Sequence, residues 1–305
     1  MNHPTATRRR FRCVRCGGEA LLDRDDAGSP RCTECRATYP TTGGIVALTE
    51  AADDRDYPAA LVDLVATVEQ RHFWFAARND VILSTIRRVI GPVAGTRILD
   101  IGCGTGFVTG ALERAGMDAW GIDMHRVALT HARARLRGPL FSSDATTLPF
   151  FRDFELASLF DVIEHLDDDV GALQQAATVL QPRGCVVVTV PAGPHLWTKY
   201  DEVIGHKRRY DRRSLADALR QAGLKPVYVG YFSCLPLLAQ MVQRGIAPGM
   251  RSTSSTTIEI VKQTLTVPPT PLNELFRWSI GAEAPLRQLS WVRGGSLIAV
   301  ARRSD

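Results

Sequence analysis

The sequence lacks several features that mark particular classes of protein. Its 305 residues contain no low-complexity tract, and 45% hydrophobic and 23% charged residues are ordinary values for a globular protein. The formal net charge of +5 is spread over three basic clusters, which is too sparse for a nucleic-acid-binding tail. The amino terminus runs into a cysteine motif rather than an apolar signal-peptide core, and the apolar stretch 228–242, interrupted by Pro236, is too short to span a bilayer. These absences favour a cytoplasmic protein without a transmembrane segment.

Cysteine is scarce, but four of the seven cysteines form two closely spaced pairs. Cys13 and Cys16 make one C-x-x-C motif, and Cys32 and Cys35 make the other. In a reducing cytosol such pairs are typical of metal ligands rather than disulfides, and four thiolates complete a tetrahedron around Zn²⁺. Because no coordination position stays open, the predicted zinc ion is structural. Residues 11–48 resemble the small zinc-ribbon domains found in some methyltransferases and in activator proteins that partner other methyltransferases.

Beyond these cysteines, segments of helical and strand character alternate along the chain. Helical periodicity over residues 59–90, broken near residues 72–75, predicts two helices after an acidic linker at residues 50–58. Apolar strands, most of them separated by helices, are then predicted at residues 97–101, 119–122, 140–141, 154–160, 184–190, 225–229 and 296–301. Such alternation is typical of an α/β fold with a doubly wound, mostly parallel seven-stranded sheet.

The same pattern suggests three parts of the chain. The predicted boundaries are residues 1–50 for a small N-terminal zinc ribbon, 51–95 for the linker and two lid helices, and 96–305 for the main domain. A helical excursion at about residues 234–290, which includes the polar run 251–257 and a helix at 272–280, separates the last two strands. We expect this excursion to cap the site or contact a partner.

A glycine-rich loop follows the first strand of the main domain. The segment ILDIGCGTG (98–106) places Asp100 at the strand end and Gly102, Gly104 and Gly106 before the next helix. Glycines allow a sharp turn and a close approach to a ligand, and the free N–H groups of such a loop favour a carboxylate or phosphate.

The dinucleotide fingerprint G-x-G-x-x-G fails in this loop in both registers. Counted from Gly102 the third glycine would fall at Phe107, and counted from Gly104 it would fall at Thr109. NAD and FAD are therefore poor fits. The spacing D-I-G-C-G-T-G matches the first motif of Rossmann-like methyltransferases.

Aspartates stand at the predicted carboxyl ends of four consecutive strands, namely Asp100, Asp123, Asp144 and Asp161. A carboxylate at the end of the second strand can accept both hydroxyls of a ribose. With the glycine loop, the pattern over residues 97–230 resembles class I S-adenosylmethionine-dependent methyltransferases. The resemblance implies that Asp100 and the loop hold the methionine part, Asp123 the ribose and Asp144 the adenine. It extends the cofactor-binding set to Met124, Ala145 and Asp161.

The acceptor side is predicted near the segment DVIEH, which contains Asp161, Glu164 and His165. This segment resembles the E-x-x-E-H motif of ubiquinone-pathway O-methyltransferases and small-RNA ribose methyltransferases, with Asp in place of the first Glu. The resemblance implies a second divalent ion at these three residues, with His195 or His206 as a further ligand. Two interpretations remain open: an ion site, or residues that only shape the turn into the next helix. Glu164, His165 and His206 are the candidate catalytic residues, with His165 or His206 as general base.

Two further segments resemble methyltransferases of bacterial biosynthetic clusters. GHKRRY (205–210) offers His206 as a base and Arg208 or Arg209 to hold an acidic acceptor, or else forms a solvated loop with a structural Arg–Asp pair. The aromatic segment 71–79 resembles a lid helix of the same group, although its aromatics equally suit the core of a helix pair.

The sequence therefore predicts an S-adenosylmethionine-dependent methyltransferase of bacterial biosynthetic type, acting on oxygen or nitrogen of a small-molecule acceptor. The zinc ribbon and basic amino terminus support an RNA methyltransferase as the alternative, with the strong salt dependence that phosphate contacts bring. A non-catalytic cofactor-binding partner is a third hypothesis. The sequence does not predict an oligomeric state.

Overall fold

The computed structural model describes residues 9–22, 29–49, 58–237, 256–287, 289 and 292–304. Within these residues lie twelve strands: β1 (Arg10–Arg12), β2 (Glu19–Leu21), β3 (Arg31–Cys32), β4 (Thr41–Thr42), β5 (Ile45–Ala47), β6 (Arg97–Ile101), β7 (Asp118–Asp123), β8 (Leu140–Ser142), β9 (Phe154–Phe160), β10 (Leu180–Pro191), β11 (Leu224–Phe232) and β12 (Ser296–Arg303).

The helices pack on both faces of the main sheet or above its edge. They are α1 (Ala59–Val68), α2 (Phe73–Ile90), α3 (Phe107–Arg114), α4 (Arg126–Arg133), α5 (Asp169–Thr178), α6 (Lys199–Val203), α7 (Arg212–Gln221), α8 (Thr257–Thr264) and α9 (Thr270–Ala282). Three single-turn 3₁₀ helices lie at Ile163–His165, Pro194–Leu196 and Ala284–Leu286.

Nine strands form the main sheet in the order β11-β12-β10-β9-β6-β7-β8-β5-β4. Strands β6 to β10 run parallel, whereas β12 lies antiparallel between β10 and β11. The doubly wound, mostly parallel fold is thus confirmed, and β6 to β12 are its seven expected strands. The count of seven is too low for the whole sheet because the hairpin β4–β5 adds two strands at its edge.

Buried parallel strands need apolar side chains on both faces, and the chain supplies them. Strands β6, β9 and β10 are almost wholly buried, as their continuous apolar runs predict. The strand predicted at residues 184–190 begins earlier, at Leu180, because Leu180 pairs with Phe154 before a shift in register at Cys185. The order β9, β6, β7, β8 brings the carboxyl ends of four parallel strands to one edge.

The amino-terminal cysteine motifs lie in a three-stranded antiparallel sheet, β1-β2-β3. This sheet and the hairpin β4–β5 share one hydrophobic core with the main sheet, in which Phe11 meets Phe141 with ring centroids 5.7 Å apart. We call the segment from β1 to Thr49 the ribbon. Its assignment as a separate domain ending at residue 50 stays a prediction.

Some predicted features fall outside the described residues. These are most of the acidic linker at 50–58, the last part of the apolar stretch 228–242 and most of the polar run 251–257. In the described part of the excursion, α9 packs against α2, and the Asn273 amide accepts from Phe73 N at 2.9 Å. No helix in the described ranges has both the length and the apolar character that crossing a bilayer requires.

Candidate active site

The glycine loop after β6 has the backbone shape that only glycine adopts readily. Gly102, Gly104 and Gly106 all have positive φ, at 74°, 53° and 73°. A Cβ at Gly102 would lie 2.5 Å from the Val162 side chain, and one at Gly106 would meet Ala132 at 2.8 Å. At Gly104 a Cβ would meet nothing within 4 Å, so this is the position where the loop backbone faces open space. A ligand can therefore approach the backbone at Gly104.

Asp100, at the end of β6, is a buried carboxylate held by two hydroxyl groups. Thr109 Oγ1 donates to one oxygen at 2.5 Å, and Ser158 Oγ donates to the other at 2.9 Å. Burial raises the pKa of Asp100 to about 6, although both hydrogen bonds favour its ionised form. Since Asp100 is only 1% exposed, it braces the loop between β6, β9 and α3, and its predicted contact with the methionine part stays a prediction.

Asp123, at the end of β7, joins the glycine loop to the next turn. One carboxylate oxygen accepts from Gly104 N at 2.8 Å, and the other accepts from His125 N at 2.8 Å. The carboxylate thus lies beside the open position at Gly104, where the resemblance places the ribose. The neighbouring Met124 is 40% exposed.

The end of β8 carries the residues predicted to contact adenine. Asp144 Oδ1 accepts from Thr146 N at 2.7 Å, which forms a tight turn. Ser143 N donates to Asp123 O at 3.0 Å, so this turn lies next to the end of β7. Asp144 and Ala145 are both half-buried. The three strand ends of the predicted cofactor site therefore lie side by side.

Asp161, at the end of β9, faces the amino-terminal helices. Its backbone has a positive φ of 56°, and its carboxylate pairs with the Arg78 guanidinium of α2 and accepts from Thr189 Oγ1 at 3.1 Å. The Arg78 guanidinium also stacks on the Trp74 ring at 4.7 Å. Both carboxylate oxygens of Asp161 have partners in the chain, and Asp161 is not among the residues whose ligand atoms cluster with Glu164, so its part in a metal site stays a prediction. Its contact with the cofactor stays a prediction.

Glu164, His165 and His206 form a cluster whose potential ligand atoms all lie within 4.8 Å of one another. The two imidazole rings meet edge to face with centroids 4.7 Å apart, and His206 Nε2 lies 3.9 Å from Glu164 Oε1. Of the two further histidines considered from the sequence, His206 belongs to this cluster, whereas His195 is exposed on a 3₁₀ helix.

The Glu164 carboxylate is fully buried, and neither oxygen has a hydrogen-bond partner among the described residues. Burial, reinforced by the nearby Asp161 carboxylate, raises the pKa of Glu164 well above its usual range. Burial also lowers the pKa of His165 to about 4, with a further contribution from His206. A buried polar group without a partner is unfavourable by about 1–3 kcal/mol, so this carboxyl group is suited to a ligand that supplies the missing contact.

Asp201, at the start of α6, orients His206 and anchors the loop after it. Asp201 Oδ1 lies 2.8 Å from His206 Nδ1, and Arg209 donates to both carboxylate oxygens, at 2.7 and 2.9 Å. Although burial alone raises the pKa of Asp201, hydrogen bonds from His206, Arg209 and Thr198 hold it well below its usual range. An imidazole that donates from Nδ1 to this carboxylate turns Nε2 towards Glu164.

The arginines of GHKRRY have partners within the chain. Arg209 binds Asp201, and the Arg208 guanidinium lies 2.8 Å from Asp169 Oδ1. The structure contains the Arg–Asp pairs of the second interpretation, and the role of His206 as a base stays a prediction.

The contacts of several residues of the site were not predicted from the sequence. Glu69, which follows α1 and is 3% exposed, accepts from the Thr105 hydroxyl of the glycine loop at 2.7 Å and pairs with Arg135. Arg78 lies in the lid-helix segment 71–79 and Asp201 shortly before GHKRRY, but their contacts with Asp161 and His206 were not predicted. In the aromatic segment, Phe73 and Phe75 are buried in the core, whereas Trp74 is half-buried beside Arg78.

The four cysteines of the ribbon meet at one point. Their sulfur atoms all lie within 4.8 Å of one another, and the pairs Cys13–Cys35 and Cys16–Cys32 are each 3.6 Å apart. A tetrahedral zinc ion with Zn–S bonds of about 2.3 Å separates its thiolates by about 3.8 Å. The cluster fits the predicted structural zinc ion.

A family model for a methyltransferase domain matches residues 53–229, which is more than half of the chain. The chain belongs to this methyltransferase family. The match and the relatives named below support the predicted S-adenosylmethionine-dependent methyltransferase.

Relatives of this methyltransferase include enzymes of small-molecule biosynthesis. It is 31% identical over 103 residues to the ubiquinone biosynthesis O-methyltransferase of Albidiferax ferrireducens, which covers 31% of this chain and 41% of that protein. The ubiquinone biosynthesis O-methyltransferase of Bordetella avium is 25% identical over 179 residues, or 49% of this chain and 70% of the relative. The biotin biosynthesis bifunctional protein of Cellvibrio japonicus is 32% identical over 142 residues, 43% of this chain and 28% of that protein. The chain thus spans less than half the length of two of these three relatives.

Solved structures share the fold of this methyltransferase. A chain from the complex between the Haloferax volcanii Trm112 methyltransferase activator and a methyltransferase aligns with a TM-score of 0.55 at 17% identity, covering 84% of this chain and 100% of its own. Haemonchus contortus phosphoethanolamine N-methyltransferase 2 in complex with S-adenosyl-L-methionine also aligns with a TM-score of 0.55 at 17% identity, covering 83% of this chain and 59% of its own. At this identity the likeness supports the fold alone.

Proposed function

We propose that this methyltransferase transfers the methyl group of S-adenosylmethionine to a hydroxyl group of a small-molecule acceptor in a biosynthetic pathway. The observation that carries this proposal is the Glu164 carboxyl group, fully buried and without a hydrogen-bond partner in the described chain, beside the imidazoles of His165 and His206. A hydroxyl bound here supplies the contact that the carboxyl group lacks and can give its proton to the neighbouring His206, whereas a neutral amine needs no base to attack a sulfonium carbon. The cluster therefore favours oxygen over nitrogen as the acceptor atom.

The cofactor in this proposal lies on the glycine loop. Its carboxylate end approaches the open backbone position at Gly104, its ribose meets Asp123, and its adenine lies near Asp144 and Ala145. The loop N–H groups and the start of α3 favour the cofactor's carboxylate. Val162 touches the loop at Gly102, two residues before Glu164, which supports a position of the acceptor cluster next to the transferable methyl group.

The reaction is an in-line displacement in which the acceptor oxygen forms a bond to the methyl carbon while the carbon–sulfur bond breaks. The chain has to align the two molecules and remove the hydroxyl proton. His206, oriented by Asp201, accepts that proton at Nε2, and S-adenosylhomocysteine leaves with the electron pair of the broken bond on sulfur. His165, whose pKa is about 4, is neutral near pH 7 and can accept a hydrogen bond from the acceptor.

The residues of the cluster also suit a divalent ion. Glu164, His165 and His206 would hold it, and the orphaned Glu164 oxygens are the observation that fits. One carboxylate and two imidazoles suit Mg²⁺, Mn²⁺ or Fe²⁺. When bound, such an ion lowers the pKa of the acceptor hydroxyl.

The acceptor class is supported by the relatives. Two are ubiquinone biosynthesis O-methyltransferases and one is a biotin biosynthesis protein, and all three names describe small-molecule pathways. In the described chain the basic clusters also have internal partners: Arg135 binds Glu69, Arg208 binds Asp169 and Arg209 binds Asp201. This leaves less charge for the phosphates of an RNA.

The test is methyl transfer from radiolabelled S-adenosylmethionine to a panel of acceptors. We would offer 3,4-dihydroxybenzoate as a catechol, 4-hydroxybenzoate as a phenol, ethanolamine as an amine and unmodified tRNA. Label in a hydroxyl compound, absent with Asp123→Ala, supports the proposal. Label confined to tRNA and lost steeply with added salt would favour the RNA alternative, and label confined to the amine would contradict the choice of oxygen.

A further inference from the structure

We propose that the ribbon is a working part of the cofactor site: with its metal bound it fixes the segment that carries Asp144, so that loss of the metal lowers the affinity for S-adenosylmethionine. This inference rests on the proposed placement of the adenine near Asp144. It assigns to the ribbon a role other than recognition of the acceptor.

The first observation is that the ribbon forms the strand next to β8. Strand β5 pairs with β8 in parallel, from Ile45 opposite Leu140 to Ala47 opposite Ser142. Directly after β5, the backbone N–H groups of Leu48 and Thr49 both donate to Ser142 O, at 2.9 and 3.3 Å. The ribbon therefore holds the residue that lies two positions before Asp144.

The second observation is that the ribbon also contacts the segment after Asp144, at residues 149–153. The backbone N–H of Arg12 in β1 donates to Pro149 O at 2.7 Å, and the Arg10 guanidinium pairs with Asp153 at 3.1 Å. The guanidinium groups of Arg10 and Arg12 lie over the Phe151 ring, at 4.8 and 5.1 Å from its centroid. The turn at Asp144 is thus bounded on both sides by contacts with the ribbon.

A chain of contacts links the cysteine cluster to β8. The Tyr39 hydroxyl donates to Cys13 Sγ at 2.9 Å and accepts from Val14 N at 2.9 Å. The Tyr39 ring meets Phe11 edge to face at 4.9 Å, and Phe11 meets Phe141 of β8 at 5.7 Å. A displacement of the cysteine loops is therefore transmitted to the strand before Asp144.

The metal matters because the ribbon has little apolar surface of its own. Its strands are two or three residues long, and segments of this size usually need a metal or disulfides to stay folded. If the metal leaves, β8 becomes an edge strand and the turn at Asp144 loses its contacts on both sides. The cofactor would then have to order this turn as it binds, and its apparent affinity would fall.

The experiment measures the affinity of the full chain for S-adenosylhomocysteine by calorimetry at three stages: as purified with zinc, after removal of zinc by a chelator, and after zinc is added back. We expect the affinity to fall about tenfold on removal and to return on re-addition, a coupling of ordinary size between two sites. Unchanged affinity in the zinc-free protein would overturn the inference. A zinc-loaded protein that does not bind S-adenosylhomocysteine at all would contradict both the proposed cofactor site and the coupling.

A matched pair of variants tests the coupling without removing the metal. Arg12→Pro lacks the N–H that bonds Pro149 O, whereas Arg12→Ala keeps it. With one zinc ion per chain in both proteins, we expect Arg12→Pro to bind S-adenosylhomocysteine at least about threefold more weakly than Arg12→Ala, the effect of one net hydrogen bond. Equal affinities would show that the hydrogen bond from Arg12 N to Pro149 O does not affect the cofactor site.

Discussion

The proposed cofactor half and the proposed acceptor half of the site differ in how their buried carboxylates are satisfied. Asp100 accepts from Thr109 and Ser158, and Asp123 accepts from the backbone of the glycine loop and its neighbouring turn. Glu164, one strand further along the sheet edge, is equally buried but has no donor for either oxygen among the described residues.

This difference indicates which half of the site has its hydrogen bonds in place before a ligand binds. On the cofactor side, protein groups hold the carboxylates, so the chain is preorganised and its folding supports binding. On the acceptor side, the chain keeps a carboxyl group at the expense of stability, a pattern that is common at functional sites and rare elsewhere. The predictions below alter one half at a time.

The largest effect is expected on the cofactor side. Asp123→Ala removes the carboxylate beside Gly104 and with it the two proposed hydrogen bonds to the cofactor's ribose, so we expect S-adenosylhomocysteine to bind at least about a hundredfold more weakly. Calorimetry measures this, with Asp63→Ala on the exposed face of α1 as the control. Retained affinity in the Asp123 variant would show that the ribose lies elsewhere.

On the acceptor side, Asp201→Asn should disturb the orientation and protonation of His206 while leaving the cofactor loop intact. We expect the rate of methyl transfer to fall by about ten- to a hundredfold, a usual range when the partner of a functional histidine is lost. The matched control is Glu202→Gln, which changes the charge of the adjacent exposed residue. If both variants transfer methyl groups at the same rate, Asp201 serves only to anchor Arg209.

The pH dependence of stability reports directly on the orphaned carboxyl group. The pKa of Glu164 is about 4.5 in the unfolded chain and is raised in the folded chain. The folded chain therefore holds this proton more tightly, and the protein loses stability as the pH rises from about 4.5 through the folded pKa. Glu164→Gln cannot ionise, so its free energy of unfolding should exceed that of the parent by a margin that grows, to about 1–3 kcal/mol, between about pH 5 and pH 8.

Urea unfolding of the parent and Glu164→Gln at several pH values measures that margin. His72 and His165, whose pKa values are lowered to about 4, act in the opposite sense in both proteins. Their contribution to stability is complete above about pH 6.5 and is lost as the pH falls towards 4. Their effect therefore largely cancels in the difference. Parallel curves for the two proteins would mean that Glu164 has a partner in solution.

A change in stability of similar size is expected where a satisfied carboxylate loses one donor. Thr109→Val removes the hydroxyl that donates to Asp100 but keeps the shape of the side chain, and we expect a loss of about 1–3 kcal/mol in the free energy of unfolding. Thr109→Ser, which keeps the hydroxyl, should lose about 1 kcal/mol or less. Equal losses in the two variants would show that packing, not the hydrogen bond, carries the effect.

The sequence was sufficient to predict most of the fold. Apolar runs such as those of β6 and β9 match the predicted strands, because a parallel strand buried on both faces needs an unbroken run of such residues. The hairpin β4–β5 was missed as part of the sheet. Its strands have two and three residues, and pairing with β8, almost a hundred positions away, leaves no local pattern.

The site could be predicted only where spacing carries information. The glycine loop and the strand-end aspartates follow from the order of the elements, and the cysteine pairs follow from metal geometry. The contacts of Glu69 and Arg78 could not be found this way, because each is made across the fold, with Thr105 and with Asp161. The contact of Asp201 with His206 is local but depends on the path of the loop between them. Whether His195 or His206 lies next to Glu164 and His165 likewise depends on the path of the loop, which the motif alone does not predict.

The most direct test of the difference between the two halves is to measure S-adenosylhomocysteine affinity and methyl transfer to 3,4-dihydroxybenzoate side by side for the parent and Glu164→Gln. If the cofactor half is complete without Glu164, the affinity stays within about twofold while the transfer rate falls by about a hundredfold, a usual effect of a misplaced acceptor. If affinity and rate fall together, or if transfer persists at the parental rate, Glu164 does not serve the acceptor.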